Sequence, residues 1–192
     1  MKKFLSIILV LVLALSLVSC GGKKEKKLGP EGKEVAIVTA FLGSVTTNQM
    51  VNFMKAGMEK EGIKVTAIDT KGDMSQLASR IEDMVASNVD AIVLVSTDPN
   101  QLLTQLEGAF DAGVPVFGCD AGFIEGMYVN ATSDNYAMGE QTSKYLFDEL
   151  MGGEGDIIAL THRPHPGVVK RTEAFDAVRA NYPNIKLITE QH

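Results

Sequence analysis

The sequence has no tryptophan, only two cysteines and no excess of basic residues. The missing tryptophan excludes nothing by itself. The formal net charge of −6 leaves no basic field to hold a phosphate backbone, which argues against nucleic acid binding as the main function. The Gly-x-Ser-x-Gly pattern of a nucleophile elbow is also absent, which argues against a hydrolase of that type.

The first twenty residues have the pattern of an export signal. Lys2 and Lys3 precede an apolar stretch, residues 4–17, that is too short for a comfortable membrane span. The stretch ends in Leu17-Val18-Ser19-Cys20, which resembles the lipobox of bacterial lipoproteins. This resemblance implies cleavage before Cys20 and a lipid anchor on it. A plain signal peptide or an uncleaved signal anchor is the alternative.

Residues 21–33 contain almost nothing to bury and predict a flexible tether. If Cys20 carries the anchor, Cys119 has no partner in the chain, and we expect no disulfide. A free thiol of this kind is more typical of a small packed residue than of a nucleophile.

Residues 90–99, Asp-Ala-Ile-Val-Leu-Val-Ser-Thr-Asp-Pro, show the pattern that the rest of the chain repeats. An apolar run without a polar face is typical of a central strand in a parallel sheet, and the polar residues then lie at its carboxyl end. Similar strands alternate with helical patterns, which predicts an α/β fold with a doubly wound, Rossmann-like parallel sheet. The other predicted strands cover residues 34–40, 64–70, 114–120, 127–131, 156–161 and 186–189. The predicted helices cover residues 48–60, 74–87, 168–181, one from 99 and one from about 135.

These elements divide into a complete first lobe, residues 34–133, and a partial second lobe, residues 134–192. Only two strands belong to the second lobe, and two strands with two helices make a poor independent core. Ligands of open α/β sheets bind outside the carboxyl ends of the strands, so we expect the functional residues there.

Several short motifs occur in a specific order over residues 34–192. They are Val35-Ala36-Ile37-Val38, Lys55-Ala56-Gly57-Met58, residues 83–99, Ala112-Gly113-Val114-Pro115-Val116, Ser133-Asp134-Asn135 with Gly139, and Arg171-Thr172-Glu173-Ala174-Phe175. This order resembles the type I periplasmic binding proteins, in particular the ribose-binding-like, sugar-binding lipoproteins of ABC importers. The second lobe of that family is longer, so we interpret the chain as the N-terminal part of the family fold, with its second lobe truncated.

The resemblance implies a ligand held between two lobes that close about a hinge near residues 131–134. It places ligand contacts at Asn48, at Ser96 with Asp98 nearby, and at Asp120, whose carboxylate can accept hydrogen bonds from sugar hydroxyls. Asn48 and Asp98 have the alternative of capping helices.

The same resemblance is incomplete at the ligand positions, which argues against ribose itself. Ala121 stands where ribose binders have an arginine, Met50 and Val51 stand where they have stacking phenylalanines, and Val169 stands at the arginine of the second lobe. A small neutral sugar or polyol is the expected ligand.

The loop of residues 161–167 follows a strand end and contains two histidines. His162 and His165 have no third or fourth ligand nearby in sequence, so we expect no metal site. Because the loop faces the expected cleft, Arg163 and His165 are candidate ligand contacts.

The sequence therefore predicts a solute-binding lipoprotein that delivers a small sugar or polyol to an ABC permease. We expect no catalytic residue, no cofactor, no nucleic acid partner, a monomer, and attachment through Cys20 on the outer side of the cytoplasmic membrane or in the periplasm. A ligand-sensing lipoprotein that signals to a receptor kinase or chemoreceptor is the alternative, and an exported hydrolase is a third. A repressor of related fold is excluded because an export signal, not a helix-turn-helix, precedes Val35.

Overall fold

A computed structural model of the chain describes residues 29–162 and 165–191. The predicted signal segment, the lipidation site Cys20, most of the tether and the candidate contact Arg163 lie outside the described residues. None of the helices in the described part is long and apolar enough to cross a membrane.

The first half of the chain forms a five-stranded parallel sheet in the order β2-β1-β3-β4-β5. Its strands are β1 (Glu34–Thr39), β2 (Lys64–Asp69), β3 (Ala91–Val95), β4 (Val116–Cys119) and β5 (Val129–Ala131). Its helices are α1 (Val45–Lys60), α2 (Met74–Ala86) and α3 (Leu103–Asp111), the last preceded by a 3-10 turn over Pro99–Leu102. We call residues 34–131 the five-stranded unit.

Successive side chains of the central strands point to opposite faces of this sheet, and helices cover both faces. Ala36 and Ile92 face a core that contains Leu77 of α2 and Leu106 of α3. The intervening residues face a second core with Val51 of α1. Burial on both sides explains the uninterrupted apolar runs of β1 and β3, and the predicted α/β fold with a doubly wound parallel sheet is confirmed.

The second half of the chain forms a two-stranded parallel sheet with two helices against it. We call residues 135–191 the two-stranded unit. Its elements are α4 (Asn135–Tyr145), which ends in a π-helical turn over Leu146–Leu150, β6 (Gly155–Leu160), α5 (Pro166–Arg179) and β7 (Ile185–Gln191).

The core of the two-stranded unit is small and lies on one side of its sheet. Phe147, Val178 and Ile185 form its buried centre. On the other face Ile158 and Leu160 are 65% and 80% exposed. Burial therefore alternates along β6, in contrast to β3 of the five-stranded unit.

The two helices of this unit approach closely at Gly139 of α4. A methyl group built there would lie 2.5 Å from the carbonyl oxygen and 2.7 Å from the Cα of Arg171 in α5. Only glycine permits this backbone approach, because contacts under 3.0 Å are sterically forbidden for carbon. The contact fixes the position of α5 relative to α4.

Candidate functional site

The carboxyl ends of β3 and β4 bring two polar residues side by side. Ser96 and Asp120 both have a φ of 50°, a backbone conformation that L-residues other than glycine adopt at an energetic cost. The backbone is held there by hydrogen bonds that the Ser96 N–H donates to the Cys119 oxygen at 3.0 Å and the Asp120 N–H donates to the Ala131 oxygen at 2.8 Å. Such strained strand ends are common at ligand sites and direct these side chains toward one point.

Hydroxyl groups of the five-stranded unit surround the Asp120 carboxylate. Ser96 Oγ donates to Oδ2 of Asp120 at 3.4 Å and lies 3.2 Å from the hydroxyl of Thr47 in the first turn of α1. Thr132, on the segment between the two units, donates to Oδ1 at 3.4 Å. Ser96 is fully buried. Ser96 therefore holds Asp120 from the interior of the five-stranded unit, and the Asp120 carboxylate is the group that lines the cavity described below.

The two-stranded unit reaches the same carboxylate through His165. Its Nε2 lies 3.3 Å from Oδ2 of Asp120, while its Nδ1 accepts a hydrogen bond from the Gly167 N–H at 3.1 Å and so caps α5. A ring nitrogen that accepts a hydrogen bond carries no proton, so the proton of the neutral ring is assigned to Nε2, which faces Asp120. One imidazole thereby connects the start of α5 to the end of β4.

This environment changes the acidity of the two residues at the end of β4. The contact with His165 holds the pKa of the Asp120 carboxyl below its usual range, with a further contribution from the positive charge of Arg171 and against the opposing effect of burial. Burial and the neighbouring Asp120 charge raise the pKa of the Cys119 thiol. Cys119 is therefore a poor nucleophile, since the thiolate is the reactive form.

A cavity of about 670 Å³ opens between the two units at this point. This volume is within the range of small-molecule sites. Its walls are a mixture of hydroxyl, amide, imidazole, charged and apolar groups, contributed by Phe41, Ser44, Thr46, Thr47, Met50, Asp120, Ala131, Thr132, Ser133, Asn135, His162, His165, Val168 and Arg171.

One wall of the cavity is aromatic. Phe41 follows β1, and its ring meets the His162 ring edge-on at a centroid distance of 6.0 Å. The loop that carries Phe41 is held by Asp69 at the end of β2, which accepts a hydrogen bond from the Leu42 N–H at 3.4 Å. An aromatic face beside hydroxyl-binding groups is suited to a sugar, whose C–H face is apolar.

Another part of the wall is positioned by a contact between α4 and the start of α5. Asn135 is 8% exposed, and a methyl group built at Gly167 would lie 3.0 Å from its side chain. The Asn135 amide also donates to the Ser133 carbonyl at 3.1 Å. These contacts tie the segment between the units to the residues that carry His165.

The structure brings together only part of the predicted ligand set. Asp120 and His165 lie in the cavity wall, and Ser96 lies directly behind it. Asn48 is exposed, accepts a hydrogen bond from the Asn52 amide at 2.7 Å and is not part of the wall. Asp98 accepts from the Asn100 N–H at 3.0 Å, as the cap of the following turn. A ligand role for each of these residues, and for Arg163, stays a prediction.

Sequence reasoning missed most residues of the wall, among them Phe41, Thr47, His162 and Arg171. Phe41 and His162 each lie two residues after a strand end, so the rule that places ligand residues at strand ends applies to them as well. Thr47 lies in the first turn of α1. Arg171 lies within α5, and although it opens one of the motifs that carry the family resemblance, that motif did not mark it as a residue of the wall.

Among the residues that the structure describes, no three histidine, cysteine or acidic side chains are grouped so as to hold a metal ion. The cavity wall combines a carboxylate acceptor, hydroxyl and guanidinium donors and an aromatic ring. Its chemistry is that of binding a polar small molecule.

Known proteins are similar to this chain in sequence and in fold. The family described as periplasmic binding protein domain matches residues 27–192. The ribose import binding protein of Bacillus subtilis is 32% identical over 166 residues, which are 83% of this chain and 53% of that protein. The xylitol-binding protein of Mycolicibacterium smegmatis is 28% identical over 155 residues, 76% of this chain and 44% of that protein.

Solved structures have a similar fold. An ABC transporter solute binding protein from Agrobacterium vitis, crystallised with bound allitol, matches with a TM-score of 0.72 and 26% identity over 81% of this chain and 53% of that one. The chain thus spans about half the length of the relatives that it matches.

Proposed function

The chain belongs to the periplasmic binding protein domain family, and from this membership and the cavity we propose that it captures a small neutral sugar or polyol between its two units. The observation that carries the proposal is the Asp120 carboxylate at the carboxyl end of β4, in the wall of a cavity of about 670 Å³. A carboxylate accepts hydrogen bonds only, and vicinal hydroxyl groups are its natural donors.

The charges of the cavity support a neutral ligand. Its described walls contain one carboxylate, Asp120, and one guanidinium, Arg171. These formal charges cancel, so a charged ligand would leave one charge in the cavity without a balancing charge, which is costly. The names of the relatives support the same class, since they bind ribose, xylitol and allitol.

We further propose that the protein is an extracytoplasmic lipoprotein anchored at Cys20 and that it delivers its ligand to an ABC permease. The apolar leader and the Leu17-Val18-Ser19-Cys20 motif support the anchor. The kinship with an import binding protein and an ABC transporter binding protein supports the permease. In this role the protein needs no catalytic residue or cofactor, and it acts as a monomer on the outer side of the cytoplasmic membrane or in the periplasm.

Isothermal titration of the mature protein tests the ligand class. The probes are D-ribose, D-allose, L-arabinose, xylitol and allitol, with L-leucine and a dipeptide as chemically different controls. We expect micromolar or tighter binding of at least one sugar or polyol and none of the controls. Tight binding of the amino acid or the dipeptide, with no response to any polyhydroxy compound, would contradict the proposal.

A further inference from the structure

We propose that His165 is a pH-dependent latch between the two units: its ring holds the Asp120 carboxylate, a bound sugar or polyol displaces the ring, and a proton on the ring strengthens the latch and so weakens ligand binding. This inference rests on the proposed function and adds a regulation of the same site. The latch is the contact between Nε2 of His165 and Oδ2 of Asp120.

This contact differs from the other acid–base pairs of the described residues. It joins the two units, whereas each of the other pairs joins residues on one side of the segment 132–134. The side chains of His165 and Asp120 are 15% and 28% exposed, less than those of any other pair in this part of the chain. Because the pair is partly shielded from water, a charge on the imidazole strengthens it more than it would strengthen a surface pair.

The ring occupies an acceptor position that the ligand needs. A carboxylate has about four acceptor positions, two on each oxygen. Oδ2 of Asp120 already receives Ser96 and His165, while Oδ1 receives Thr132. Vicinal hydroxyls that bind both oxygens need a position on each of them. Ser96 is fully buried behind the wall, so His165 is the donor that must leave Oδ2.

A proton on the ring favours the latched form over the ligand-bound form. Nδ1 of His165 accepts from the Gly167 N–H, so a second proton must take this position and end the cap of α5. This cap is lost with or without ligand, and its loss therefore cancels from the affinity. The attraction between the imidazolium and the Asp120 carboxylate acts fully only while the ring stays at Oδ2. By linkage, ligand binding then expels the proton, and acid weakens binding.

The other ionisable groups around the ring do not reproduce this effect. The described wall has Asp120, His162, His165 and Arg171 as its titratable or charged side chains, and its residues from α1, β5 and α4 are uncharged. The guanidinium of Arg171 keeps its charge at every pH used. The contact with His165 holds the pKa of Asp120 below its usual range, so this carboxylate stays ionised near neutral pH. Burial raises the pKa of the neighbouring Cys119 thiol, which keeps it protonated there.

The experiment measures the affinity for the best of the five sugars and polyols named above by calorimetry from about pH 8 to about pH 5.5, the range in which histidine titrates. Wild type is compared with His165→Asn, which keeps a preferred N-cap residue but has no titrating ring. His162→Asn and His192→Asn are the matched controls, because the chain has three histidines. Titration in buffers of different ionisation enthalpy gives the number of protons released per ligand bound.

We expect wild type to bind about three- to tenfold more weakly at the lowest pH than at the highest, because a hydrogen bond between charged groups is harder to displace than one from a neutral donor. Wild type should also release protons when it binds the probe in mild acid. The affinity of His165→Asn is independent of pH, and its binding releases no protons. Each control keeps the wild-type ratio of affinities, whatever its affinity at the highest pH.

Asp120→Asn separates the latch from a direct contact between His165 and the ligand. This variant binds more weakly but keeps the ring, and an amide forms no ion pair with an imidazolium. We expect its remaining affinity to be independent of pH. If it keeps the wild-type pH dependence while His165→Asn loses it, the ring acts on the ligand itself and the latch is wrong.

Further results overturn the inference in distinguishable ways. If wild type binds a probe with the same affinity at every pH, or more tightly in acid, the latch is wrong while the proposed function stands. The same holds if His162→Asn or His192→Asn abolishes the pH dependence. If wild type binds no sugar or polyol, the proposed function fails and this inference fails with it.

Discussion

Substitution of Gly139 by alanine tests the packing between α4 and α5, the helix that contributes Arg171 to the cavity wall. The added methyl group would lie 2.5 Å from the Arg171 oxygen, nearly 1 Å inside an ordinary carbon–oxygen contact of about 3.4 Å. The methyl carbon is bonded directly to the backbone of α4, and the oxygen belongs to the backbone of α5. No side-chain rotation relieves the overlap, so α4 and α5 must separate. Overpacking of this kind costs about 1–3 kcal/mol, more than the gain of roughly 1 kcal/mol from replacing a helical glycine.

Gly57→Ala is the matched control, because Gly57 lies within α1 and nothing is within 4 Å of the position that its methyl group would take. It should raise the free energy of unfolding by about 0.5–1 kcal/mol, whereas Gly139→Ala should lower it. Urea titration followed by circular dichroism measures both, and amide exchange should show the loss in α4 and α5. If Gly139→Ala stabilises the protein as Gly57→Ala does, the close approach of the two helices is wrong.

Three further outcomes are expected. Cys20→Ala should leave an unlipidated precursor, and equal palmitate labelling and membrane retention of the variant would refute the anchor. Amides of residues 157–160 should exchange faster than those of residues 92–95, because the face of β6 that carries Ile158 and Leu160 is exposed while β3 is covered on both faces; equal protection would count against a weaker two-stranded unit. Because the pKa of Asp120 is lowered in the folded state, the stability that its charge contributes is fully present above the ordinary aspartate value of about 3.9 and is lost as the pH falls through the lower folded value. Asp120→Asn should therefore reduce stability at pH 5, and urea titrations at successively lower pH should show this loss shrinking. A loss that stays constant as the pH is lowered would show that the charge is not its source.

The α/β architecture could be predicted because each central strand is buried on both faces. This burial forces uninterrupted apolar runs, such as that of β3, which differ clearly from the helical periodicity between them. The division of strands into five and two was also predictable from turn residues and spacing, and it is confirmed. The exact limits of the predicted lobes, residues 34–133 and 134–192, stay predictions.

Helix ends were predicted less well, with consequences for the site. The sequence suggested that the first helix begins at Asn48, but α1 begins at Val45 with Ser44 as its N-cap. Asn48 therefore lies one residue beyond Thr47 on a helix, and one residue rotates a side chain by about 100°. Thr47 is 3% exposed and contacts Ser96, whereas the neighbouring amide faces solvent.

The site residues divide by what positions them. Asp120 follows β4 and His165 lies in the segment after β6, and the topology of parallel sheets assigns each of them to the carboxyl edge of its own sheet. Arg171 lines the cavity from α5, and the backbone of α5 is positioned at this residue by its close approach to Gly139, a tertiary contact between residues far apart in sequence. No local pattern contains that information.

The most direct test of a sugar or polyol site at Asp120 is calorimetric titration of Asp120→Ala and Asp98→Ala with the same five probes. Truncation of Asp120 removes an acceptor from the cavity wall, and loss of a hydrogen bond to a charged group is worth about 1.5–3 kcal/mol. We expect Asp120→Ala to bind roughly ten- to a hundredfold more weakly, while Asp98→Ala, which loses a cap outside the wall, melts at a lower temperature with its affinity unchanged. Undiminished binding of the best probe by Asp120→Ala would contradict the account.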